Sequence, residues 1–114
     1  MVRGKVIAID FDGTITEKND YPRIGAFREN AVECIKKLQK LNRCFLYTCR
    51  QGEALREALE SLEKHGVLLR VDSPYDYSVA SGRKPIADLY IDDLALAVYG
   101  EEVDWFKIEK MLLG

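Results

Sequence analysis

The chain has one histidine, three cysteines, no excess of basic residues and no apolar run of membrane length. Each of these shortages excludes something. Seventeen Lys and Arg against nineteen Asp and Glu leave a net charge of -2, so the clustered positive charge that nucleic-acid phosphates reward is missing. The cysteines, Cys34, Cys44 and Cys49, are odd in number and lack close paired spacing, which argues against a disulfide framework or a zinc site. Free thiols fit a reducing compartment. The apolar run that follows Met1 to Lys5 is cut by Asp10, too early for a signal-peptide core or a membrane span. A cytoplasmic protein is therefore expected, with no membrane partner. There is no internal repeat, linker or low-complexity segment. At 114 residues, 47% apolar and 32% charged, the composition is that of one soluble globular domain over 1–114.

What is present is organised around residues 6–14, Val-Ile-Ala-Ile-Asp-Phe-Asp-Gly-Thr. A short branched apolar run closed by two acids and a glycine predicts a buried strand whose tip opens into a polar site. Asp10 and Asp12 would repel each other in an apolar pocket unless a cation lies between them or one is protonated. Magnesium suits such a pair, since it takes hard oxygen ligands from one or two carboxylates and completes its shell with water and substrate phosphate. Gly13 allows a sharp turn and close approach to a ligand, and the Thr14 hydroxyl can pin the loop. Asp-Gly is also an ordinary turn signal, and acids commonly end strands where they meet water.

Residues 15–27 form a polar connection containing Tyr21-Pro22-Arg23-Ile24-Gly25, which opposes regular structure. Beside the carboxylates, it is either a flap over the site or a link to the next helix. Helical spacing of Ala31, Val32, Ile35, Leu38 and Leu41 predicts an amphipathic helix over 29–41, with Cys34 a small side chain near its packing face. A second strand is predicted over 43–48, ending on Thr48, and a helix over 53–65 with Gly66 as its stop. His65, in the last turn, is expected to face solvent rather than catalyse. A third strand is predicted over 67–71 and a loop over 72–83. A fourth strand over 86–91 is closed by Asp92-Asp93, and a last helix covers 103–113. Residues 94–100 fit either a short strand or a loop wall.

Successive strand-helix units imply a parallel sheet, and α/β is the expected class. In such a sheet Asp10, Thr48 and Asp92 each end a strand and emerge at the same carboxyl edge, where open α/β sheets bind ligands.

These residues resemble the motifs of the haloacid dehalogenase (HAD) superfamily of phosphohydrolases. The first motif is similar to Asp10-Phe11-Asp12-Gly13-Thr14, the second to Thr48, the third to Lys84 and the fourth to Asp92-Asp93. The 21–25 stretch, Thr48-Cys49-Arg50 and the run from Lys84 to Asp93 resemble small capless members. The resemblance implies a single Rossmann-like, three-layer domain with a central parallel sheet and no cap, since neither gap between motifs can hold one. It implies an open site suited to a large or exposed substrate, unless the flap or a neighbouring subunit of a homo-oligomer covers it.

The resemblance also implies roles. Asp10 is the nucleophile that forms an aspartyl-phosphate, and Asp12 protonates the leaving oxygen and later activates water. Thr48 hydrogen-bonds a phosphate oxygen. Lys84 neutralises the charge shared by Asp10 and the phosphate, with Arg83 its rival. Magnesium is held by Asp10, the Asp12 backbone carbonyl and Asp92, with Asp93 a direct or water-mediated helper. Gly13, Thr48, Cys49, Arg50 and Lys84 would line the substrate side, although Arg50 could equally be a surface residue and Cys49 a packed thiol. The presence of Asp12 favours a phosphate ester over a carbon-halogen or carbon-phosphorus bond.

The expected activity is magnesium-dependent hydrolysis of a phosphomonoester, small or macromolecular, with a nucleic-acid end ranked lower for want of basic charge. The competing expectations are a signalling receiver domain, in which Asp72 would be the phosphorylated aspartate, and a noncatalytic binder of metal or phosphate.

Overall fold

The structure is a computed structural model describing residues 1–18, 20–71, 86–92 and 102–114. The branched apolar run forms the first strand, β1 (Val6–Asp10), which ends on Asp10 as expected. It is followed by α1 (Ala31–Leu41), β2 (Arg43–Tyr47), α2 (Gly52–Lys64), β3 (Leu89–Ile91) and α3 (Trp105–Leu113). The strands form a parallel sheet in the order β2-β1-β3. Val6 pairs with Arg43 and Asp10 with Tyr47 on one side of β1, and Ile7 with Leu89 and Ile9 with Ile91 on the other. The α/β class and the parallel sheet agree with the sequence reading.

Alternation along the strands divides the core. Ile7, Ile9, Leu46 and Ile91 join Cys34, Ile35 and Leu38 of α1, Ala58 and Leu62 of α2 and Trp105, Ile108 and Leu112 of α3 in one buried cluster. The smaller second cluster holds Val6, Ala8 and Phe45, with Tyr47, Ala87 and Tyr90 packed against it. Thus all the described helices feed one face of the sheet. Of the expected three layers, the described residues build two.

Two predicted strands are shorter than expected. Over 67–71, Val67 and Leu69 are buried while Leu68 and Arg70 are exposed, the alternation that suggested a strand. Among the described residues the backbone nevertheless makes a single parallel bridge, Phe45 with Arg70, with the Leu46 N–H donating to the Arg70 carbonyl at 2.6 Å. The fourth strand is regular only over its last three residues. At its start Asp88 bonds Val6 twice, its N–H donating to the Val6 carbonyl and its side chain accepting from the Val6 N–H, both at 2.8 Å, while Ile86 is exposed.

The thiols also differ from one another. Cys34 is buried as expected, but Cys49, read as a packed thiol, is exposed. Burial pushes both Cys34 and Cys44 up to about 12, leaving little reactive thiolate at neutral pH. Labelling the native protein with a maleimide at pH 7.5 should therefore modify Cys49 rapidly, with Cys34 and Cys44 following only in denaturant. Rapid incorporation of three labels without denaturant would contradict that packing. Among the described residues no helix is long and apolar enough to cross a membrane.

Candidate active site

The tip of β1 is a tightly held loop. Phe11 is fully buried, and its carbonyl accepts from the N–H groups of Thr14, Ile15 and Thr16 at 3.2, 2.9 and 3.2 Å. Gly13 has φ 79, the left-handed conformation that favours glycine, and its N–H donates to the Thr16 hydroxyl oxygen at 3.0 Å. The Thr14 hydroxyl donates to Asp10 Oδ2 at 3.2 Å, as its proposed pinning role requires. The indole of Trp105 reaches across from α3 to donate to the Thr14 carbonyl at 2.8 Å. Arg28 Nη2 donates to the carbonyls of Gly13 at 3.0 Å and Glu17 at 2.8 Å.

The described residues of this connection, 15–18 and 20–27, close on themselves as a flap. Thr16 and Phe27 form an antiparallel bridge, the Glu17 N–H donates to Ala26 at 2.8 Å, and the Arg28 N–H donates to Ile15 at 2.7 Å. The base of the flap rests on the residue that ends α2, with Phe27 stacked on His65 at a ring-centroid distance of 4.4 Å. His65 is exposed, as expected, and its Nδ1 lies 2.8 Å from the Ser61 carbonyl.

Arg50 links the flap to the second acid. Its side chain is 1% exposed, against 12% for Asp12. Nε donates to Asp12 Oδ2 and Nη2 to Asp12 Oδ1, both at 2.7 Å. Nη1 donates to the Pro22 and Ala54 carbonyls at 3.2 Å, and Nη2 also donates to the Arg23 carbonyl at 2.7 Å. All five guanidinium donors are thereby used. The Phe11 and Tyr21 rings each have their centroid 5.2 Å from the guanidinium carbon, a distance at which ring quadrupoles attract the cation. The bonds to Asp12 hold the Arg50 pKa above its ordinary value, against the opposing effect of burial. Removing one partner of such a buried pair typically costs about 3–5 kcal/mol.

Arg50 is therefore not a surface residue: its side chain is buried and all five of its donors are engaged within the protein. The flap tip is drawn onto the Asp12 side, while Asp10, Asp12, Gly13 and Thr48 keep intermediate exposure.

Thr48 follows β2 directly, and its hydroxyl oxygen accepts from the Arg50 N–H at 3.2 Å. That bond uses a lone pair and not the hydroxyl hydrogen. Asp92 is buried and directly follows β3, whose last residue, Ile91, pairs with Ile9. Neighbouring strands lie about 4.8 Å apart, so the two acids end adjacent strands. Arg83, Lys84 and Asp93 lie outside the described residues, as does the 94–100 segment.

Among the described residues no group of three or more His, Cys, Asp or Glu side chains is gathered as a metal cage. Magnesium does not need one, since it binds through one or two carboxylates and keeps several waters. Asp10 and Asp92 at adjacent strand ends, with the Asp12 carbonyl, are hard oxygen donors of the kind it takes.

The sequence reading missed Arg28, Thr16 and Trp105. Only Thr16 carried a local signal, a hydroxyl residue three places after Gly13 in a turn. The other two act across 15 and 91 residues of chain.

No family model matches the chain, and no curated protein does. Among solved structures it is similar to that of a conserved protein coded by locus from Bacteroides thetaiotaomicron, at 39% identity and a TM-score of 0.79. The match covers 97% of this chain and 91% of the other. At that identity, over nearly the whole of both chains, this protein belongs to the same family as the conserved Bacteroides protein.

Proposed function

We propose that this protein is a magnesium-dependent phosphomonoester hydrolase of the HAD type, working through an aspartyl-phosphate on Asp10. The observation that carries the reading is the sheet order: β1 lies between β2 and β3, so Asp10 is flanked by the strands that lead to Thr48 and Asp92. An oxygen of Asp10 attacks phosphorus as the bond to the leaving oxygen breaks, and Asp12 gives that oxygen its proton. In the second half Asp12 takes a proton from water, whose oxygen attacks phosphorus, and the bond to Asp10 breaks to release inorganic phosphate. Thr48 donates its hydroxyl hydrogen to a phosphate oxygen, and Lys84 supplies positive charge. Magnesium bound by Asp10, Asp92 and the Asp12 carbonyl would supply charge neutralisation for the crowded phosphate oxygens.

The receiver reading is weaker. A receiver-like sheet has the order 2-1-3-4-5, with the third strand beside the first. Here the 67–71 segment bridges to Phe45 on β2, away from β1. The chain leading to Asp72 is thus separated from Asp10 by a strand.

The test is phosphate release from a panel of phosphomonoesters in magnesium and in EDTA. Release from at least one substrate that is lost in EDTA and restored by magnesium is expected. A protein inert toward the panel that is instead stably phosphorylated on aspartate by acetyl phosphate would favour the receiver reading.

A further inference from the structure

We propose that Arg50 is the latch of the flap and a positioning residue for Asp12. One buried guanidinium holds the Asp12 carboxylate together with the flap carbonyls of Pro22 and Arg23, so the setting of the flap and the setting of Asp12 are a single variable. The catalytic consequence rests on the phosphohydrolase reading above; the mechanical coupling does not.

Chemistry explains why an arginine does this. Its planar fork meets both oxygens of a carboxylate at once, and three further bonds remain for carbonyls approaching from other directions. Pro22 and Arg23 take two of these, and the third goes to Ala54 in the first turn of α2, which fixes the guanidinium to the scaffold. The Phe11 ring beside it belongs to the β1 tip and the Tyr21 ring to the flap. The same cation is thus bracketed by the two parts it joins. Tyr21 is 58% exposed and lies on the outer side of this stack, whereas Phe11 is wholly buried. A lysine at position 50 keeps the charge but has neither the fork nor five donors. An asparagine at position 12 keeps the size but cannot accept from both arms.

Three outcomes are expected in the 114-residue chain. Arg50→Lys and Asp12→Asn should each raise amide hydrogen exchange over residues 20–25 by about tenfold or more, as a local opening does. Both should also speed tryptic cleavage after Arg23, while Arg56→Gln, on the outer face of α2, should change neither. With a phosphomonoester substrate, Arg50→Lys should lower kcat by roughly 10²-fold, the scale of a misplaced acid-base group, with KM changed far less.

Far-UV circular dichroism identifies any variant that fails to fold. If Arg50→Lys fails, Asp12→Asn alone decides, because it loosens the flap only if the carboxylate helps to hold it. Native exchange over 20–25 in a folded Asp12→Asn protein overturns the latch. So does a folded Arg50→Lys protein with a low kcat and an unmoved flap. Absence of phosphatase activity in the native protein retires the phosphohydrolase reading, and the exchange arms still decide the latch.

Discussion

Asp10→Asn is expected to lower magnesium-dependent phosphate release by roughly 10⁴-fold or more, in the range seen when a covalent nucleophile is removed, while leaving the fold intact. Asparagine has nearly the same volume, and its carbonyl oxygen can still accept the Thr14 hydroxyl that now bonds Asp10 Oδ2 at 3.2 Å. What it lacks is a charged oxygen able to form the bond to phosphorus. The Ile9 and Leu46 pairing beneath it, within the buried face of the sheet, has no reason to change. Thermal unfolding and phosphate release measured on the same preparation separate the two effects. A folded Asp10→Asn protein that keeps a tenth of native activity would remove Asp10 as the nucleophile. Loss of activity together with loss of the cooperative transition would instead assign Asp10 a structural role.

The largest expected loss of stability is at Trp105. The side chain is 1% exposed, joins the main core cluster and donates Nε1 to the carbonyl of fully buried Thr14. Trp105→Ala removes the ring and should cost about 3–5 kcal/mol, a large part of the 5–15 kcal/mol by which domains are stable. Trp105→Phe keeps most of the apolar volume but orphans the Thr14 carbonyl, at about 1–3 kcal/mol. Urea titrations followed by circular dichroism give both values. Native-like stability of Trp105→Phe would mean that the indole bond does not hold the loop. Because Trp105 is the sole tryptophan, its fluorescence in the native protein reports the same docking of α3 against the Asp10 loop.

The parts of the fold that were legible in the sequence are those fixed by local period. The strand Val6–Asp10 and its end at Asp10 were legible because branched residues run into an acid. The three helices among the described residues follow the 3.6-residue spacing of their apolar positions and differ from expectation by one or two residues at their ends. The start of α3 is set by Asp104, whose side chain accepts from the Phe106 and Lys107 N–H groups at 3.0 and 3.3 Å, two residues after the first apolar position predicted as helix. The 67–71 segment shows the limit of the same method. Its alternation buries Val67 and Leu69 without requiring a continuous ladder, since burial and backbone pairing are separate conditions.

By itself the sequence determined which residues stand at strand ends, and so brought Asp10, Thr48 and Asp92 to one edge of a parallel sheet. It could do so because strand direction and hydrophobic period are properties of short stretches. Only the tertiary structure decided how those residues are held. Arg50 finds its partners at positions 12, 22, 23 and 54, Trp105 finds Thr14, and Arg28 finds Gly13. Arginine and tryptophan carry the same donors wherever they occur, and which acceptors lie within hydrogen-bond reach depends on how distant segments pack.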